Sequence, residues 1–126
     1  MAGASGRDSK DIDRKENQGM AMVFVRGGQC GKETVITARK STLTTVSLSF
    51  ETSCEHIAKL ADELKEVNAG SEMTLPMRDT AVYRAASEHC CRNSCIVPAA
   101  TLKAVEVAAS LFPPEDACVN FLEDAL

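Results

Sequence analysis

The apolar residues of this chain change period once, and that change limits the folds open to it. Between residues 20 and 51 they fall in short runs rich in Val, Ile, Thr and Phe, whereas from residue 54 onward they recur every three or four positions. A chain patterned with strands grouped first and helices after them favours an α+β layer over a parallel doubly wound sheet.

Three strand-like segments open the ordered part. Residues 20–26 form a continuous apolar run, as expected of a strand buried on both faces. Residues 33–39 are rich in β-branched side chains. Residues 43–51 alternate, with Thr44, Val46, Leu48 and Phe50 on one face and Thr45, Ser47 and Ser49 on the other. The short connections 27–32 and 40–42 predict an antiparallel meander, and the Thr and Ser face predicts that one side of the sheet meets solvent.

The helical part begins near residue 54. Ile57, Leu60, Ala61, Leu64 and Val67 make one stripe, so the first helix is expected over about 54–67, with Thr52-Ser53 before it and Asn68-Ala69-Gly70 ending it. Residues 71–79 read as a loop. Asp79 or Thr80 should cap a second helix, about 80–91, whose buried side is Val82, Ala85, Ala86 and Cys90. A third helix starts near Pro98, buries Leu102, Val105, Ala109 and Phe112, and stops at Pro113-Pro114. Residues 117–122 read as a fourth strand. The expected fold is therefore α+β, an antiparallel sheet of about four strands with three helices packed on one face. Residues 1–19 hold one large aliphatic, Ile12, and read as a disordered tail before a single domain over 20–126.

Composition excludes several functions. With 126 residues and 44% hydrophobic content the chain can build one core, drawn mostly from Val, Leu, Ile and Ala because aromatics are only 4%. The formal charge is −4 and the Lys and Arg residues are not clustered, so no phosphate-neutralising stripe supports nucleic-acid binding. No apolar run approaches the roughly 18 residues of a membrane span. The polar N-terminus lacks a secretory apolar centre, so a cytoplasmic, reducing location is the default. An unknown protein partner is expected, and a second copy of the chain could cover the edge of the sheet at the first strand.

Six cysteines then carry the chemistry. Cys30 lies in the glycine-rich turn Gly27-Gly28-Gln29-Cys30-Gly31, Cys54 at a helix start, and Cys91 and Cys95 across a break before Pro98. Helix N-termini offer unpaired N–H groups and the positive end of the macrodipole, which stabilise a thiolate. If these loci converge, Cys30, Cys54, Cys91 and Cys95 could surround a zinc ion or an iron–sulfur cluster. Cys90 and Cys118 read as packing residues. His56 and His89 read as surface or helix-end histidines, with Cys54 and His89 the one pairing a thiol hydrolase could use. Lys103 and Glu106, three apart, read as an exposed ion pair.

The chain resembles a small uncharacterised family, a domain of unknown function, found in anaerobic bacteria and archaea. The similarity covers about residues 20–122. It rests on Cys30-Gly31, Ser53-Cys54-Glu55-x-Ile57, and Cys91-x-x-x-Cys95-x-Val97-Pro98 leading into Leu102-Lys103-Ala104-Val105-Glu106-Val107. Ile96 stands where that family has a proline, and Lys32 where an aromatic often follows Cys-Gly. The resemblance implies that Cys30, Cys54, Cys91 and Cys95 belong to one site, and it implies no activity. The leading functional expectation is a metal- or cluster-binding protein in electron transfer or metal sensing rather than a small-molecule enzyme. The alternatives are a thiol–disulfide redox protein using Cys54 or Cys95, and an interaction module whose cysteines merely pack.

Overall fold

The computed structural model describes residues 19–123, so the expected tail over 1–19 lies outside the described residues except for Gly19. Strand β1 (Met20–Arg26), strand β2 (Glu33–Lys40) and strand β3 (Thr45–Thr52) form the expected antiparallel meander. The fourth strand, β4 (Glu66–Asn68), pairs antiparallel with β3, giving the order β1-β2-β3-β4. Four helices complete an α+β fold: α1 (Glu55–Glu63), α2 (Ala69–Thr74), α3 (Ala81–His89) and α4 (Val97–Ala108).

Alternation along the strands sets the two faces of the sheet. Ala21, Val23 and Val25 align across the ladder with Ala38, Ile36 and Thr34, and these with Leu48, Phe50 and Thr52. That face joins Ile57, Leu60, Val82, Ala85, Val97, Ala104 and Val105 in one core whose buried hydrophobics are all Val, Ile, Leu or Ala. Helix α4 lies over β1 and β2, while α1 lies against β3 and α3. The opposite face carries Thr37, Ser47 and Ser49, as the Thr/Ser pattern requires, but also Met22 and Phe24, which are 62% and 55% exposed. The apolar run of β1 is thus open on one side, contrary to its reading as a strand buried on both. Arg26 offsets part of that exposure by lying over the Phe24 ring, 5.8 Å from its centroid.

Several boundaries differ from expectation for identifiable reasons. The stripe of the first helix runs on to Val67, but the helix ends at Glu63 and Val67 is buried from β4 instead. Both elements face one core, so the helical period continues by coincidence across a break at Leu64 and Lys65. Asn68 starts a helix rather than ending one: its side chain accepts the Ser71 N–H at 2.9 Å and caps α2, within what reads as loop. Residues 117–122 pair with no strand, and Val119 and Phe121 are exposed. Helix α4 stops at Ala108, ahead of Pro113. Ser110 takes the left-handed conformation (φ 65°), its N–H donates to Val107 O, and the Leu111 N–H reaches back to Glu106 O at 2.9 Å. This C-terminal turn releases Phe112 to solvent. The buried stripe of α4 is consequently Val97, Thr101, Ala104, Val105 and Ala108, and the Thr101 hydroxyl is satisfied by Val97 O at 2.8 Å.

Candidate metal centre

Four thiols reach one neighbourhood from three helix ends. Cys54 is the N-cap of α1, directly after β3; its N–H donates to Thr52 Oγ1 at 3.1 Å, and its thiol makes no capping bond. Cys90 is the C-cap of α3, with its N–H on Ala86 O. Cys91 and Cys95 bracket the turn into α4, where Cys95 precedes the N-cap Ile96. Cys54, Cys90 and Cys95 are half-buried against the core, whereas Cys91 is exposed. Burial pushes the Cys90 thiol up from 9.0 to about 12, and negative charge on Cys95, then Cys91 and Cys54, acts in the same direction. Cys95, Cys91 and Cys54 are thus all near enough to act on Cys90, Cys95 most strongly.

Three of the four cysteines singled out in the sequence therefore lie near Cys90, which packs against the core. The fourth, Cys30, is exposed on a 3-10 turn, Gly28–Cys30. That turn is at the same end of the sheet as Cys54, since the Ser53 N–H donates to Glu33 O at 3.0 Å. The Cys30 sulfur folds back over Gly27, where any side chain would collide with it. The Gly27 and Gly31 N–H groups close the turn on Lys32 O and Gly28 O, so they are engaged within it. Cys118 is exposed on the C-terminal segment.

Two features escaped the sequence. Glu72 on α2 is 6% exposed, and its carboxylate accepts the Ala81 N–H at 2.7 Å and the Val82 N–H at 3.0 Å, capping α3 together with Thr80, whose hydroxyl accepts the Tyr83 N–H. No local pattern announces that cap, because nine residues separate Glu72 from Ala81. The second is a cluster of Glu63, Glu88 and His89, in which Nε2 of His89 lies 3.1 Å from Glu63 Oε2. Only the adjacency of Glu88 and His89 is visible in sequence. His89 thereby turns Nε2 to carboxylates, and His56 is half-buried in the first turn of α1. Lys103 and Glu106 form the expected ion pair at 3.8 Å.

Fold and site together define a small α+β domain whose helix ends gather cysteines. Among the described residues no helix is long and apolar enough to cross a membrane. The chain belongs to DUF6951, a family of unknown function whose model matches residues 21–121, from β1 through Cys118. No curated protein and no solved structure matches it.

Proposed function

We propose that the protein binds a soft metal centre, a zinc ion or an iron–sulfur cluster, through Cys54, Cys90, Cys91 and Cys95, in a reducing cytoplasm. One observation carries the reading: α1, α3 and the turn into α4 each deliver thiols to the surroundings of Cys90. Cys90 takes the place that the sequence assigned to Cys30. Crowded thiols repel as anions, and a cation removes that repulsion, which is why thiolate sets suit zinc and iron–sulfur centres. Zinc–sulfur bonds of about 2.3 Å put four sulfurs roughly 3.8 Å apart. The thiols stand wider than this, since the only three metal-capable side chains among the described residues with ligand atoms all within 4.8 Å are Glu63, Glu88 and His89. Rotation about the Cα–Cβ bonds is the motion that would close the set. The N-termini of α1 and α4 beside Cys54 and Cys95 add favourable field for negative sulfur.

The test is oxygen-free purification followed by elemental analysis and a visible absorption spectrum. Zinc, or iron with sulfide, should accompany the wild-type chain and be lost in Cys54→Ser and Cys95→Ser but kept in Cys118→Ser. Metal-free protein with six freely titrating thiols sinks the reading. The closeness of Cys90 and Cys95 favours a second one, a redox dithiol in which both thiols give up two protons and two electrons to a partner disulfide. Peptide mapping of metal-free, oxidised protein should then find a Cys90–Cys95 link.

A further inference from the structure

Helix α1 ends at Glu63 and helix α3 ends at Glu88 and His89, so two helix C-termini meet beside two carboxylates. Helix C-termini carry the negative end of the macrodipole, and cations are stabilised there. The last turn of α1 has no basic residue and that of α3 has only His89. Among the described residues, neither Glu63 nor Glu88 pairs with a lysine or arginine.

The histidine supplies an independent observation. Nε2 of His89 lies 3.1 Å from Glu63 Oε2 and 3.9 Å from Glu88 Oε1, and it is closed to solvent. Its contact with the nearer carboxylate holds the Glu63 pKa below the usual carboxylate value, yet falls short of good hydrogen-bond geometry. A ring nitrogen closed to solvent with only an ill-aimed carboxylate beside it is uncommon and points to a further ligand. Two ligand atoms bound at about 2.0–2.2 Å to one ion stand roughly 2.8–3.6 Å apart, between the octahedral and the tetrahedral angle. Glu63 and His89 are already at that spacing. Glu88, whose side chain is 66% exposed, can close the remaining fraction of an ångström by rotating its own bonds.

We infer that Glu63, Glu88 and His89 hold one divalent transition-metal ion of the zinc and manganese class, distinct from the thiol centre and with at least one position left to water. Imidazole with carboxylate oxygens suits such ions, whereas thiolates select softer centres. Three protein ligands leave the coordination sphere open, as in zinc sites that bind a water or substrate.

Mn²⁺ is the probe that separates the two sites, because it favours oxygen and avoids thiolate. Titration of full-length, reduced protein with Mn²⁺, followed by the loss of the free-ion electron paramagnetic resonance signal, should show one saturable equivalent. His89→Gln and Glu63→Gln should each weaken it by about tenfold or more. Glu88→Gln, at an exposed position, should weaken it without altering the thermal melt. Cys54→Ser should leave Mn²⁺ uptake unchanged, whatever becomes of the thiol centre. Absence of saturable uptake, or uptake equal in wild type and in all three triad variants, overturns the inference and leaves a histidine–carboxylate ion pair.

Discussion

The Glu72 carboxylate is the most exacting test of how this fold is held, because one side chain satisfies two backbone donors at the start of another helix. Its oxygens accept the Ala81 and Val82 N–H groups at 2.7 and 3.0 Å, and the residue is 6% exposed. Hydrogen bonds to charged groups contribute about 1.5–3 kcal/mol each. Water can recover part of the loss at half-buried Ala81, but not at fully buried Val82. Glu72→Ala should therefore cost about 3 kcal/mol. Glu72→Gln keeps one acceptor but turns an NH₂ towards a donor, so about 1.5–2 kcal/mol is expected. Against a total stability of about 5–15 kcal/mol, the alanine variant should melt roughly 10–20 °C lower. Urea and thermal unfolding of reduced, metal-free protein followed by circular dichroism give both numbers, and faster amide exchange at Val82 should accompany them. Since α3 carries His89 and Cys90 at its far end, alkylation of Cys90 should also quicken. Two variants each within about 0.5 kcal/mol of wild type would falsify the capping argument.

Ser110 holds a left-handed backbone at φ 65°, which glycine adopts without strain. Ser110→Gly should thus raise stability by about 0.5–1 kcal/mol, read as a melting point a few degrees higher. Ile36 is fully buried between β1 and β3, so Ile36→Val should cost about 1 kcal/mol and Ile36→Ala about 3–4 kcal/mol in the same unfolding assay. Cys90 gives the pH dependence. Its folded value is raised from 9.0 to about 12, so the fold favours the neutral thiol. That contribution is complete below pH 9 and fades as the pH climbs from 9 towards about 12. The urea midpoint of metal-free protein should fall across that window, and Cys90→Ala should flatten the fall; equal slopes in both proteins would refute the assignment.

How far the sequence could be read depended on how local each cause was. The three-stranded meander was legible because short polar turns and β-branched runs leave few alternatives, and Thr80 was legible as the cap of α3 because its partner Tyr83 is three residues away. Val67 misled because burial in the core looks alike whether it comes from a helix or a strand. Met22 and Phe24 misled because an apolar run does not reveal that no described residue covers its outer side. Residues 117–122 carry strand-like side chains but find no strand edge, a matter of tertiary placement. The places of Cys54 and Cys95 at helix starts were legible. The nearness of Cys90 to Cys54, and the approach of Glu63 to His89 across 26 residues, arise only when α1 and α3 pack together.

His89 and Cys90 are neighbours in the chain, one facing carboxylates and the other facing sulfurs. The rigid peptide between them fixes where the two side chains start, while rotation about each residue's own Cα–Cβ bond adjusts one without moving the other. A single step along the backbone can thus serve two unlike chemistries on opposite sides, with either side adjustable while the other stays as it is.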